Sequence, residues 1–105
     1  MAALQEVTDT DFKTEVLEGG PAAVKLWAEW WGGCKTVAPV MEELAEEYQG
    51  KVKVVGLNVD HAPDTAGTLG VMGIPVIIFF KDGNETGRYI GGKKDKIIEE
   101  MDRLL

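Results

Sequence analysis

Three short apolar runs stand out along the chain, separated by segments in which apolar and polar residues recur at other spacings. They cover Ala22–Trp27, Val52–Val59 and Val76–Phe80, and they are rich in valine, isoleucine and other large apolar residues. The first run is apolar except for Lys25, and the second is nearly continuous. Runs of this kind and length are typical of strands that are buried on both faces of a sheet. A further short strand is predicted near Leu4–Val7.

The longest helical pattern follows the first of these runs. Apolar residues recur at helical spacing from Gly33 or Cys34 to Gln49, with acidic residues on the outer face. Pro39 lies inside the pattern and lacks the N–H that the helix needs, which predicts a kink one turn after Cys34.

Weaker patterns complete the chain. Possible N-capping residues at Thr8–Asp11 precede a predicted helix from about Thr10 to Glu18, and a short helix is predicted after Pro63. An Asp-Gly-Asn turn predicts a hairpin into a strand at Glu85–Ile90. A stripe of apolar residues then predicts a terminal helix that begins near Lys93.

This order of elements, βαβαβ(α)ββα, defines the expected fold class. A parallel half built from crossovers, closed by an antiparallel hairpin and a covering helix, gives an α/β protein. We therefore predict a three-layer α/β/α sandwich with a mixed central sheet. The 105 residues fit one domain of ordinary size, so a single domain is expected over residues 1–105.

The charge of the chain excludes some classes of partner. It has 18 acidic against 11 basic residues, a formal net charge of -7. Because nucleic acids and anionic membranes attract basic patches, neither is an expected partner. No segment approaches the ~18 apolar residues of a membrane span, and the start MAALQEVTDTDF has no secretory pattern. A cytoplasmic location is expected.

The chain contains one cysteine, Cys34, and one histidine, His61. A single cysteine cannot form an intrachain disulfide, as is typical of reducing compartments. His61 has no second histidine or cysteine at ligand spacing, so we predict no metal site and no cofactor.

The most distinctive stretch is WAEWWGGCKTVAP, residues 27–39, which holds all three tryptophans and the only cysteine. Together with several shorter matches, it resembles the thioredoxin family over essentially the whole chain. The resemblance implies a thioredoxin fold and thiol-disulfide oxidoreductase chemistry: electron transfer that reduces protein disulfides, with the dithiol recharged by thioredoxin reductase, a flavin-dependent enzyme. The shorter matches are Asn58-Val59-Asp60, Gly73-Ile74-Pro75, Phe80-Lys81-Asp82-Gly83 and Gly91.

One departure from the family lies at its active site. Family members carry two cysteines separated by two residues; the first attacks a substrate disulfide and the second resolves the mixed disulfide. Here the first position is Trp31, Gly32 and Gly33 lie between, and Cys34 is the resolving position. A dithiol cycle cannot run on one sulfur, so we predict that the chain is inactive in dithiol exchange.

A second departure lies at Lys25, where family members usually carry a buried aspartate beneath the cysteines. A lysine cannot replace that carboxylate, but an ammonium close to Cys34 would favour its thiolate. We therefore hypothesise a lowered pKa for Cys34. The alternative is that Lys25 reaches out to solvent.

Trp31 has two structural interpretations. Its indole either folds against Ile74 and Pro75 and covers Cys34, or stands out as an anchor for a partner. Its origin is also open, since the tryptophan is either natural or a laboratory replacement of the catalytic cysteine.

The resemblance also implies a surface that binds peptides. Gly73-Ile74-Pro75 resembles the family's cis-proline loop, whose backbone at Ile74 pairs with extended peptides. We predict a cis bond before Pro75. The implied peptide-binding residues are Trp30, Gly32, Gly33, Gly73, Ile74, Pro75 and Gly91.

These expectations leave three functions. The first is a thioredoxin-family protein that has lost disulfide reductase activity, and the second is a non-catalytic module that holds extended segments at the cis-proline loop. The third is slow monothiol chemistry of Cys34. The partners expected are proteins with extended segments, bound by a monomer.

Overall fold

The structure, a computed structural model, describes residues 4–31, 34–71 and 73–105, without the side chains of Cys34 and Thr36. Over these residues the chain forms a mixed sheet with helices on both faces. Its strands are β1 (Gln5–Glu6), β2 (Ala22–Trp27), β3 (Lys53–Asn58), β4 (Val76–Lys81) and β5 (Asn84–Ile90).

The strand order is β1-β3-β2-β4-β5. β1 and β2 each lie parallel to β3, β4 runs antiparallel to β2, and β5 runs antiparallel to β4. The parallel half closed by a hairpin is therefore confirmed, together with the α/β class.

The helices cover the two faces of the sheet. α1 (Cys34–Glu47) and α3 (Lys94–Asp102) pack on one face, and α2 (Pro63–Thr68) and a helical turn at Lys13–Leu17 lie on the other. Successive side chains of a strand point to opposite faces. In β4 this alternation places Ile77 and Phe79 with α1 and α3, and Ile78 and Phe80 in the opposite layer.

Two elements near the N-terminus are shorter in the structure than predicted. The strand expected at Leu4–Val7 covers only Gln5–Glu6, and the helix expected at Thr10–Glu18 is a five-residue turn at Lys13–Leu17. The Glu18 N–H donates to the Lys13 carbonyl across five residues, so the turn is wider than an α-helix. Gly19 lies against it: a Cβ there would be 2.4 Å from the Glu15 carbonyl oxygen.

Asp9, predicted among the caps of that first helix, caps a different one. Its carboxylate accepts hydrogen bonds from the backbone N–H groups of Asp64 and Thr65, at 3.2 and 2.8 Å, in the first turn of α2. Asp11 instead accepts from the Thr8 N–H at 2.6 Å. Because an N-terminal turn leaves several N–H groups without helical partners, a cap from a distant loop serves as well as a local one.

Candidate functional site

Three loops meet at one edge of the sheet. β2 and β3 are parallel, so their carboxyl ends lie together, and the Val59 N–H donates to the Trp27 carbonyl at 2.9 Å. β4 runs the opposite way and begins at the same edge, directly after Pro75. The segment Trp27–Trp31 therefore lies beside Asp60 and the Ile74–Pro75 loop.

Trp30 and Trp31 form a pair of surface indoles. Trp30 is 65% exposed and Trp31 is 36% exposed. Their ring centroids are 5.3 Å apart and their planes are inclined by 36°. The Trp30 Nε1–H donates to the Asp60 Oδ2 at 2.7 Å, which fixes the edge of that ring.

A small cavity lies beside this pair. Its volume is about 210 Å³, and Ile74 forms part of its wall. Of the two residues predicted to meet Trp31, Ile74 lines the cavity with it, whereas Pro75 is not among the described walls. The other described lining residues are Trp30, Val59, Ala66, Gly67, Val71 and Gly73.

The Ile74–Pro75 peptide bond is cis, as predicted. Ile74 is buried, and the Pro75 carbonyl accepts a hydrogen bond from the Gly91 N–H at 3.3 Å. Gly91 has a φ of +145°, and a Cβ at this position would lie 2.7 Å from the Tyr89 hydroxyl oxygen. Glycine at position 91 therefore allows a close approach that another residue would obstruct.

Lys25 is buried inside the fold. It is 7% exposed, and its Nζ lies 5.3 Å from the centroid of the half-buried Trp27 ring. This is a cation–π distance, and the structure places the side chain under the protein surface, not in solvent. The alternative in which Lys25 reaches out to solvent is therefore wrong.

Glu6 approaches Lys25 across a glycine. In the sheet, Glu6 pairs with Gly56 and Gly56 pairs with Lys25, so the three positions form one row on one face. A Cβ on Gly56 would lie 2.2 Å from the Glu6 Oε2, so the carboxylate occupies the space above the glycine. The Glu6 Oε1 also accepts from the Trp27 Nε1–H at 2.9 Å.

The surroundings of Glu6 change its pKa in opposite directions. Burial of its carboxylate raises the pKa of Glu6 above the ordinary value, against the lowering effects of the Trp27 hydrogen bond and the Lys25 charge. The sequence pattern alone does not identify Glu6 as part of this site. Gly56 was the available signal, because a glycine inside a buried strand indicates a close approach by another group.

Comparison with known proteins agrees with this geometry. Residues 3–103 match the sequence profile of the Thioredoxin family. A thioredoxin of Pseudomonas aeruginosa is 50% identical over 86 residues, which cover 81% of this chain and 80% of that protein. A thioredoxin of Staphylococcus aureus is 44% identical over 104 residues, covering 98% of this chain and 99% of that protein. The chain belongs to the thioredoxin family.

In this thioredoxin-family chain, a second cavity of about 670 Å³ opens beside Lys25. It lies between the sheet and α1, and its described walls include Glu6, Trp27 and Lys35. The walls also contain Leu4, Ala28, Glu29, Ala38 and Glu42. Lys25 is a predicted site residue, but the sequence does not indicate this cavity.

The remaining predicted site residues lie outside what the structure describes. These are Gly32, Gly33 and the side chain of Cys34. The lowered pKa of Cys34 and its covering by Trp31 therefore stay predictions. Among the described residues, no three His, Cys, Asp or Glu side chains are grouped so as to hold a metal ion. No helix within the described ranges is long and apolar enough to cross a membrane.

Proposed function

We propose that this chain is a thioredoxin-family protein that does not perform the dithiol exchange by which the family reduces protein disulfides. The observation that carries the proposal is that Cys34 is the only cysteine among 105 residues. Thiol-disulfide exchange passes through a mixed disulfide, and a neighbouring thiol must then resolve it. Trp31 stands where the attacking thiol is expected, whether as a natural residue or as a replacement.

The surface at the start of β4 is the proposed site at which the protein still binds peptides. Exposed Trp30, the cis Ile74–Pro75 bond and the Gly91 contact with Pro75 support a site for an extended segment of a partner protein. Such a segment pairs its backbone with Ile74, as in strand addition to a sheet. We infer that the protein acts as a monomer in the cytoplasm, and that thioredoxin reductase is the redox partner of its active relatives.

Restoring the missing thiol tests the role assigned to position 31. In an insulin-reduction assay with dithiothreitol, Trp31→Cys is expected to give turnover above the reductant background, because it recreates two thiols separated by two residues. Trp30→Cys is the matched control: it adds one thiol at the wrong spacing and should stay at background. Equal activity of the two variants would contradict the assignment.

A second candidate function is a binding module that has moved away from redox chemistry altogether. The contact between Trp30 and Trp31 favours it, because both indoles line a cavity together with Ile74. Under this function Trp31→Cys stays inactive, since Lys25 also replaces the family's carboxylate. Trp31→Cys would then weaken binding of an extended peptide, measured by tryptophan fluorescence, without any gain in reductase activity.

A further inference from the structure

The exposed indole pair is a surface with its own chemistry. Two large aromatic side chains side by side, 65% and 36% exposed, form an apolar platform of a kind that marks interaction sites. The face of an indole also attracts cations, because its electron density is concentrated above and below the ring.

Asp60 places a negative charge at the edge of this platform. Its Oδ2 accepts the Trp30 Nε1–H at 2.7 Å, and its backbone N–H donates to the Asn58 Oδ1 at 2.9 Å. Asn58 is only 4% exposed, so this hydrogen bond joins the backbone of Asp60 to a buried side chain. Asp60 itself is exposed. The carboxylate is therefore held in place while it stays accessible to a ligand.

The neighbouring cavity limits the size of the ligand. At about 210 Å³ it is smaller than the ~300–1,000 Å³ typical of pockets for drug-sized molecules. Its described walls are all uncharged. This space suits the aliphatic stem of one long side chain, whose polar end can then reach the carboxylate at the rim.

The net charge of the chain favours a cationic side chain in the ligand. The net charge is -7, and none of the described cavity walls is a lysine or arginine. An acidic protein attracts cationic partners at long range, and the local carboxylate continues that attraction at contact.

We propose that Trp30, Trp31 and Asp60 form a receptor for an arginine side chain in an extended segment of a partner protein. The planar guanidinium stacks on the exposed indole and donates hydrogen bonds to the Asp60 carboxylate, a combination that a lysine ammonium matches less well. This inference rests on the proposed peptide-binding surface, and it specifies which segments that surface prefers.

Three short peptides test the inference. They share one extended, otherwise uncharged sequence with blocked ends, and their central residue is arginine, citrulline or leucine. Citrulline has nearly the shape of arginine without its charge. Dissociation constants come from titrations followed by the NMR signal of the Trp30 indole N–H. The arginine peptide is expected to bind about 5- to 10-fold more tightly than the citrulline peptide at low salt, and added salt should reduce the difference.

Two variants locate the effect. Asp60→Asn should remove most of the preference for the arginine peptide over the citrulline peptide. Asp82→Asn is the matched control, because it removes the same charge at the turn after the far end of β4. Asp82 has a φ of 54°, which asparagine also tolerates. Circular dichroism checks that both variants are folded.

The outcomes separate this inference from the proposed function. Equal binding of all three peptides, or a preference for arginine that survives Asp60→Asn, would overturn the arginine receptor and leave the peptide-binding surface in place. No binding of any peptide would overturn both.

Discussion

A tryptophan indole donates to a carboxylate twice at the edge of the sheet where β2 and β3 end, and the two pairs have different surroundings. In one pair Trp27 donates its indole N–H to Glu6 at 2.9 Å, and in the other Trp30 donates to Asp60 at 2.7 Å. The first lies over Gly56 and beside buried Lys25, and burial raises the pKa of Glu6. In the second pair the Trp30 ring is 65% exposed.

The difference shows that a hydrogen bond's role depends on what else its groups touch. Glu6 lies in one row with Gly56 and Lys25, and its carboxylate covers the glycine. Loss of the Trp27–Glu6 pair is therefore expected to change packing and charge together. The Trp30–Asp60 pair holds an exposed ring and a carboxylate beside each other, so its loss is expected to have little effect on stability.

The largest expected effect follows from inverting the charge at position 25. Lys25→Asp removes a long buried aliphatic stem, worth ~0.8 kcal/mol per methylene, and places a second carboxylate near Glu6. We expect the free energy of unfolding to fall by about 2–4 kcal/mol, measured by chemical denaturation. Adding Glu6→Lys should restore part of the loss, with a coupling of about 0.5–3 kcal/mol. Independent effects of the two substitutions would contradict an electrostatic interaction between positions 6 and 25.

A smaller effect is expected from filling the space above Gly56. In Gly56→Ala the new Cβ displaces the Glu6 carboxylate, whose Oε2 would be 2.2 Å away, and breaks its bond with Trp27. We expect a loss of about 1–2 kcal/mol in thermal or chemical unfolding. Gly67→Ala in α2 is the control, because its Cβ meets nothing within 4 Å. Similar stability of the two variants would show that the glycine is not needed for Glu6.

The pH dependence of Glu6→Gln should be modest and have a distinctive sign. A raised carboxyl pKa means that the folded state holds the proton more tightly than the unfolded state, so this contribution to stability is present below the ordinary value of 4.5 and is lost as the pH rises. Glu6→Gln has no charge to bury. Between pH 4 and pH 7 its free energy of unfolding should therefore rise, relative to that of the parent chain, by up to about 0.5 kcal/mol. The gain is small because Glu6 is exposed as a residue.

Glu85→Gln provides the opposite sign. The hydrogen bond from Arg88 lowers the pKa of Glu85, so its contribution is present above 4.5 and is lost as the pH falls. This variant should lose stability relative to the parent as the pH rises. Parallel pH profiles for the two variants would contradict the different surroundings assigned to Glu6 and Glu85.

The smallest effect on stability is expected at the exposed pair. Asp60→Asn should change the free energy of unfolding by no more than about 0.5 kcal/mol, yet shift the NMR signal of the Trp30 indole N–H. A loss as large as that of Lys25→Asp would remove the distinction between the two pairs.

The sequence predicts the central strands well, because β2 is apolar apart from Lys25 and β4 is apolar from Val76 to Phe80. It also predicts the cis bond at Ile74–Pro75, through the resemblance to the thioredoxin family. It does not predict that Asp9 caps α2, or that Glu6 and Lys25 lie in one row on either side of Gly56. Both depend on side chains from distant segments meeting at a register that only the folded sheet defines.

The partners of the tryptophans show the same limit. Spacing places Trp27, Trp30 and Trp31 in one segment, but the acceptor of the Trp27 indole comes from β1 and that of the Trp30 indole from the loop after β3. Local pattern identifies a candidate residue, whereas its hydrogen-bond partner depends on tertiary contacts.

The central claim, that one cysteine cannot sustain dithiol exchange, is tested most directly by the unmodified chain in an insulin-reduction assay. With dithiothreitol as the electron source, the rate of insulin precipitation should equal that of dithiothreitol alone at every concentration of the protein. A rate that rises in proportion to the protein concentration would contradict the account.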